Sequence, residues 1–304
     1  MVSIIVTSYN EPQTIGKCIA SLVDQPYSGL RDDFELITVI PDAETRQAAE
    51  VAVRHHKVGN WKCLEDPLKG KPLALNLGLN AAKGDFIVLT DGDVCFSENS
   101  VAELLKSLVS SDSIGGVSGR QYSQDDRNTL FGYYSHLFAE AIHLARSKLL
   151  RDPQSFYPMS GYVMAMKKKA CNFSLPSDVL VDDAYMSYLI YNQGYRIAYA
   201  PKAAALVKYP KTLSDYLKQK VRSTGGYLQL QSYGIVAKEA KARTFKQDLQ
   251  LLFFPFRFAE TFKEFVWSLL LYPIRMYLWL IIWVRSYLFP KSMQLSWKRV
   301  ETTK

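Results

Sequence analysis

Over its first 210 residues the chain alternates short apolar runs with stretches whose apolar residues recur every three or four positions. No other feature restricts the fold as strongly. "VSIIVTS" reads as a buried strand, and "TIGKCIASLVDQ" after it puts Ile15, Cys18, Ile19 and Leu22 on one helical face. "FELITVI" is a second strand ending at Pro41–Asp42, followed by the helical "ETRQAAEVAVRHH". A weaker strand is expected around Trp61–Leu64. "KPLALNLGLNAA" carries Pro72 where a first helical turn accepts it, and runs to Lys83–Gly84. "DFIVLTDGD" is the third clear strand, and "SVAELLKSLVSS" opens with Ser100 and Glu103 in capping-box spacing. This order predicts an α/β fold, a mostly parallel sheet with helices on both faces. Ligands of such sheets bind beyond the carboxyl ends of the strands. Asn10–Glu11, Asp42 and Asp91–Asp93 all fall at such ends and are expected to cluster.

A chain of 304 residues can hold one large α/β domain of about 230–250 residues plus an appendage, or two modest domains. Its 48% apolar and 22% charged residues favour a packed core over disorder. The formal charge of +8 raises nucleic acid and anionic membranes as partners. Between Lys202 and Lys246 there are ten Lys or Arg residues, against only Asp215, Glu239 and Asp248 nearby. This basic stretch leads into the most apolar part of the chain and no nucleic-acid motif accompanies it, so a membrane is favoured over nucleic acid. "FVWSLLLYPIRMYLWLIIWVRSYLF", residues 265–289, has about the length of a bilayer span, with Pro273 and Arg275 inside it. Its Trp and Tyr residues suit a membrane interface. One tilted spanning helix after an interfacial amphipathic helix is expected. Helices lying wholly in the interface, or a buried helix of a soluble protein, are the alternatives. The four cysteines have no zinc-ligand spacing and make no disulfide framework, so reduced thiols in a cytosolic domain are expected. "MVSIIVTSYN" already reads as a strand, so no signal peptide is expected.

Asp91 and Asp93 stand one residue apart at the end of an apolar run. Buried like charges so close force a proton onto one of them unless a cation intervenes. Oxygen ligands of this kind suit Mg²⁺ or Mn²⁺, and a diphosphate would complete the shell. Asp-Gly-Asp is equally a good turn. "DDAYMSYLIYNQG" reads as a helix closed by Gly194, with Asp182 and Asp183 at its positive end, a setting that keeps a carboxylate ionised and that plain capping explains for one acid better than for two. Gly70–Lys71 is not a phosphate-cradling Walker loop, because Pro72 stands where Ser or Thr is required. Lys71 as a solvated turn residue, and Asn10–Glu11 as a plain helix start, remain open readings.

Five segments in order resemble the family-2 nucleotide-sugar glycosyltransferases of GT-A fold. They are "VTSYNEPQTIGKCIASLVDQ", "VIPDAET", "KGKPLALNLGLNAAKGDFIVLTDGD", "YPMSGYVMAMKKKA" and "VLVDDAYMSYLIYNQGYRIAYAPKAAAL". The likeness covers about residues 1–225. It implies that Glu11 and Asp42 contact the donor's ribose and base, and that Lys71 lies near the base or the phosphates. It also implies that Asp91 faces the ribose or sugar, that Asp93 binds the metal through the diphosphate, and that Asp183 is the general base of an inverting transfer, beside Asp182. The donor it implies is a nucleotide sugar, UDP ahead of GDP. Processive synthases of the family carry Gln-x-x-Arg-Trp. Here "QKVRS" keeps Gln219 and Arg222 but has Ser223 for the Trp. Arg222 still offers a planar fork to a diphosphate or acceptor, while the missing aromatic and the single candidate span speak against a translocating polymerase.

The expected organisation is a glycosyltransferase domain over 1–230, a basic amphipathic segment over 231–264, a candidate transmembrane helix over 265–289 and a basic tail over 290–304. The expected activity is metal-dependent transfer to a lipid-linked or membrane-proximal acceptor, with the catalytic domain facing the cytosol. A processive polysaccharide synthase and a non-catalytic nucleotide-binding membrane scaffold are the competing readings.

Overall fold

The computed structural model describes residues 1–25, 34–236 and 252–288. The basic tail over 290–304 and residues 237–251 of the basic amphipathic segment lie outside the described residues. Among them, eight strands form one sheet: β1 (Val2–Thr7), β2 (Phe34–Val39), β3 (Trp61–Leu64), β4 (Phe86–Asp91), β5 (Cys95–Phe96), β6 (Ile114–Ser123), β7 (Met164–Lys167) and β8 (Arg196–Val207). Their order across the sheet is β3-β2-β1-β4-β7-β6-β8-β5. β3, β2, β1 and β4 run parallel. β7 is antiparallel to both β4 and β6, and β6 is parallel to β8. The sheet is therefore mixed, with its parallel half at the N-terminal side.

Helices cover both faces, which explains why the strands read as unbroken apolar runs. Successive residues of β1 point to opposite sides. Ile4 and Val6 enter one core with Ile15, Ile19 and Leu22 of α1 (Ile15–Val23) and Ala49 of α2 (Ala43–His55). Ile5 enters a second core with Leu75 of α3 (Lys71–Ala81). The first core also takes Leu104 and Leu108 of α4 (Ser100–Val109). Ser100 is not the cap that its spacing with Glu103 suggested. Asn99, in the left-handed region, precedes the helix without a side-chain cap. The Ser100 hydroxyl instead donates to the Ala204 carbonyl (2.8 Å) and accepts from the Ala204 N–H (2.9 Å), tying α4 to β8. A hydroxyl that satisfies a buried backbone N–H and C=O is worth more there than at an exposed helix end.

The rest of the chain comprises α5 (Leu130–Arg146), α6 (Lys148–Arg151), α7 (Asp182–Asn192), α8 (Leu213–Ser232), α9 (Phe254–Phe258) and α10 (Phe262–Leu288). α10 starts against α5. Arg127 donates to both carboxylate oxygens of Glu264 (2.7 and 3.1 Å), to Glu260 (3.0 Å) and to the Phe258 carbonyl (3.2 Å). The Tyr133 and Ser268 hydroxyls meet at 2.7 Å, and Tyr134 donates to the Trp267 carbonyl at 2.8 Å. Burial along α10 is one-sided. Glu264, Ser268, Leu271, Leu278 and Ile282 are buried, whereas Phe262, Leu269, Met276 and Leu280 are exposed. At 100° per residue the first set falls on one face and the second on the opposite face. Phe262–Val284 is long and apolar enough to cross a bilayer by length and composition. One face of this helix packs on the domain and the opposite face is exposed.

Candidate active site

The parallel half of the sheet delivers its acids to one edge, as expected of strand ends. Asp42 caps α2, accepting from the Thr45 N–H (2.9 Å) and also from the Asn10 N–H (2.8 Å). Burial alone would raise the Asp42 pKa, but these bonds outweigh it and hold the group below its ordinary value. Glu11 accepts from Ser8 Oγ (2.7 Å), and its N–H donates to Thr45 Oγ1 (2.8 Å). α1 starts only at Ile15, with Thr14 ahead of it. The Asn10–Glu11 pair therefore belongs to the loop over the strand ends. Gly92 packs into the same loop: a Cβ there would lie 2.2 Å from Ser8 Oγ and 2.8 Å from Glu11 Oε2. The Asp91–Asp93 turn thus abuts the Glu11 loop through a residue that must lack a side chain.

On the other side of β4 a second group of charges assembles. Gly70, at φ 105°, turns the chain into α3 in the left-handed region that favours glycine. Lys71, the first residue of α3, reaches Asp91 Oδ1 and Oδ2 at 2.6 and 2.8 Å and Asp182 Oδ2 at 3.5 Å. Lys71 is no solvated turn residue; its side chain is only 18% exposed. Burial disfavours its charge, yet Asp182 and Asp91 outweigh burial and raise its pKa. Asp91 also accepts from Thr7 Oγ1 at 3.0 Å, so neighbouring parallel strands share the carboxylate.

Asp182 and Asp183 occupy the first turn of α7, but neither caps it, because Val181 stands at the N-cap. Asp183 accepts from the Gly161 N–H (3.1 Å) and the Ala184 N–H (2.8 Å). Burial first, and the neighbouring Asp182 second, raise its pKa above the ordinary value, against the pull of those N–H groups and Lys71. Burial is thus the largest influence on this carboxyl, and the Ala184 N–H at the helix terminus pulls the other way.

Lys71, Asp91, Asp182 and Asp183 line one cavity of 360 Å³, with Gln219, Arg222 and Ser223 of α8 also in its wall. Glu11, Asp42 and Asp93 stand outside that lining. Asp93 nevertheless acts on the wall: the Tyr162 phenol, raised mainly by burial, is raised further by Asp93 and Asp91 and lowered by Arg222 and Lys71. Among the described residues no three His, Cys, Asp or Glu side chains are close enough to hold a metal by themselves. The carboxylates of the Asp91–Asp93 turn have the hard-oxygen chemistry that suits a divalent cation completed by a diphosphate, with both Asp91 oxygens also held by Lys71.

Residues 1–226 match the family described as Glycosyltransferase like family 2. The chain belongs to that family. Among curated proteins, this glycosyltransferase is 23% identical to the poly-beta-1,6-N-acetyl-D-glucosamine synthase of Staphylococcus epidermidis over 231 residues, 74% of its own length and 54% of the relative's. The corresponding synthase of Staphylococcus aureus (strain COL) matches over the same shares. The chain thus spans about half the length of these relatives. Among solved structures it resembles a mannosyltransferase from Pyrobaculum calidifontis in complex with GDP-Man and Mn²⁺ (TM-score 0.61, 22% identity, 96% of this chain and 83% of the other). It also resembles glucosyl-3-phosphoglycerate synthase from Mycobacterium tuberculosis in complex with Mn²⁺, UDP and phosphoglyceric acid (TM-score 0.51, 19% identity, 78% and 80%). The fold of this glycosyltransferase is GT-A.

The cavity also holds residues that sequence reasoning did not single out. Gly161 and Tyr162 lie in the quoted "YPMSGYVMAMKKKA" segment, so a signal for them existed. Gln121 on β6 and Arg146 at the end of α5 had none: each reads as an ordinary polar residue on an amphipathic element.

Proposed function

We propose that this glycosyltransferase is membrane-attached and inverting, and that it moves a sugar from a nucleoside diphosphate to a lipid-linked or membrane-proximal acceptor with help from Mg²⁺ or Mn²⁺. The observation that carries this reading is the convergence of Lys71, Asp91, Asp182 and Asp183 on one cavity beside the Asp91–Asp93 turn. In it, Glu11 and Asp42 receive the nucleoside and Lys71 orients Asp91 toward the donor. Asp93 and Asp91 hold the cation, which when bound offsets charge on the departing diphosphate. Asp183, with its raised proton affinity, takes the proton of the acceptor hydroxyl. Asp182 keeps Lys71 in place, and Gln219 and Arg222 grip the diphosphate or the acceptor from α8. The solved neighbours with GDP-Man and with UDP support a nucleotide-sugar donor.

Membrane attachment rests on the exposed apolar face of α10. Because the opposite face is buried from Glu264 to Ile282, we place this helix along the membrane interface, with the glycosyltransferase domain of residues 1–230 on the cytosolic side. The test is transfer or hydrolysis of UDP- and GDP-sugars, with Mn²⁺, with Mg²⁺ and with chelator, for the native chain and for Asp93→Ala. Equal rates under all conditions would remove the metal role.

A second reading is a processive synthase of the kind named among the curated relatives. It is favoured by Gln219 and Arg222 both reaching the cavity wall, with Ser223 where the aromatic would stand. Product length on a sizing gel separates the two.

A further inference from the structure

Arg146 is 5% exposed and lines the same cavity as Asp183. Its Nε and Nη1 have no hydrogen-bond partner among the described residues, and Nη2 reaches only the Pro158 carbonyl at 3.3 Å. The Tyr157 ring lies 5.5 Å from its guanidinium carbon. Glu140, six residues earlier on α5, is engaged by Arg120 at 2.7 Å. A buried guanidinium without an anion is expensive, because desolvation of the charge is not repaid. Arg cannot relieve that cost by losing its proton. A fold that keeps such a charge at a cavity wall keeps it for something that enters the cavity.

The position narrows what enters. Pro158, which binds the guanidinium, and Gly161, which binds Asp183, are three residues apart on one segment. Three residues of chain span at most about 10 Å. A molecule that presents a hydroxyl to Asp183 can therefore reach Arg146 with a group about one sugar ring away. Gln121 and Ser160 lie along the same wall, bonded to each other at 2.9 Å, and Gln121 binds the Tyr209 hydroxyl at 2.7 Å. Of the carboxylates in this cavity, Asp91 and Asp182 pair with Lys71, and Asp183 accepts from backbone N–H groups; none is paired with Arg146. Arg146 is the buried cation whose counter-charge must come from outside.

We propose that Arg146 is an acceptor-binding residue, and that the acceptor carries a phosphate or carboxylate close to the hydroxyl that receives the sugar. The inference rests on the glycosyltransferase reading of this cavity and names the acceptor's chemistry within it. The guanidinium matches either anion with charge-assisted hydrogen bonds. The anion's source is either a lipid headgroup or a soluble sugar derivative.

The test uses the full chain in detergent, first saturated with UDP and Mn²⁺, then titrated with glucose 6-phosphate, glucuronate and glucose while Trp and Tyr fluorescence is followed. Both anionic probes are expected to bind at least tenfold more tightly than glucose. Arg146→Met should abolish that difference and Arg146→Lys should retain part of it, with UDP affinity unchanged in both. Competition by short-chain dihexanoyl phosphatidic acid assigns the source: displacement at lower concentration than glucose 6-phosphate itself indicates a lipid headgroup, and the reverse a soluble acceptor. A second measurement covers a structural role. Arg146→Met removes an unmatched buried charge, so its melting temperature should equal or exceed that of the native chain. Unchanged anion binding in Arg146→Met, or a melting temperature several degrees lower, would overturn the proposal. Failure of UDP to bind the native chain would instead count against the donor reading, and the two failures are separately visible.

Discussion

Around the cavity, charged side chains are withdrawn from water and matched to one another across long stretches of chain; along α10, apolar side chains are left in water. Lys71 reaches Asp91 twenty residues on and Asp182 on a different helix, and all three side chains are at most 22% exposed. On α10, Phe262 is 83% exposed and Met276 68%. The polar residues of that helix's first turns do the opposite job: Glu264 is buried and clasped by Arg127. Buried charge costs free energy unless it is matched, and exposed apolar surface costs it unless something covers it. In the cavity Lys71 is matched to Asp91 and Asp182 while Arg146 keeps Nε and Nη1 without a partner, and α10's outer face is covered by nothing in the described chain. The proposed anionic acceptor rests on the first mismatch and the proposed membrane attachment on the second.

The sharpest way to break the comparison is at Asp183. As the group that accepts the proton, it should lose transfer by about 10³-fold on replacement by Asn, with nucleotide binding kept. Transfer that survives in Asp183→Asn would remove it as the base. Its raised pKa sets the pH behaviour. The acidic limb of the rate profile should lie above the ordinary carboxylate value of 3.8, because the base works only once deprotonated. Stability should move the other way. The folded chain binds this proton more tightly than the unfolded chain does, so Asp183 contributes stability that is full below the ordinary value. That contribution is lost as pH rises through the raised value. Asp183→Asn should flatten both dependences in that window.

Lys71 comes next. Lys71→Met leaves Asp91 and Asp182 without their cation in a poorly hydrated site, a loss of about 3 kcal/mol in denaturant unfolding. Neutralising Asp182 in the same chain should recover part of it, and a purely additive double mutant would mean that the two side chains do not act as a pair.

Much of this was legible beforehand. Strand runs at 2–8, 34–40 and 85–93 appear as β1, β2 and β4 within one or two residues, because a strand buried on both faces leaves an uninterrupted apolar signature. Strand ends then brought Asn10–Glu11, Asp42 and Asp91–Asp93 together without further information. Three things were not legible. The antiparallel insertion of β7 between β4 and β6 depends on long-range pairing that four residues, Met164–Lys167, do not announce. The Asp183 environment depends on the Gly161 segment, more than twenty residues away, so helix position alone did not reveal its burial. Ser100 shows the same limit from the other side, since its local spacing fitted a cap while a strand 104 residues on claimed the hydroxyl.

The docked face of α10 offers a smaller effect. Arg127 directs its guanidinium to Glu264, Glu260 and the Phe258 carbonyl, and Arg127→Met leaves the buried Glu264 carboxylate without its cation, held by the Glu260 N–H (2.7 Å). A local loss of about 2 kcal/mol is expected. It should appear as faster amide hydrogen exchange over residues 262–271 with little change in the sheet. Uniform acceleration everywhere would mean that α10 is part of the same cooperative unit as the sheet, and the contrast between the two regions would dissolve.

The outer face carries the smallest and most specific expectation. Phe262 and Met276 are separated by two heptads, so both point away from the domain at nearly the same angle. Replacing either by Ser removes apolar area that would enter a bilayer, about 1 kcal/mol per side chain, or roughly a fivefold weaker partition each. The measurement is co-sedimentation with phosphatidylcholine–phosphatidylglycerol vesicles at fixed salt. Substitutions at buried Leu278 or Ile282 act differently if α10 lies in the interface: they loosen its docking and should lower the melting temperature more than vesicle binding. A helix that crosses the bilayer presents all four positions to lipid or to another helix. In that arrangement the four substitutions would weaken vesicle attachment alike, and the reading of α10 as a surface-laid helix would have to be given up.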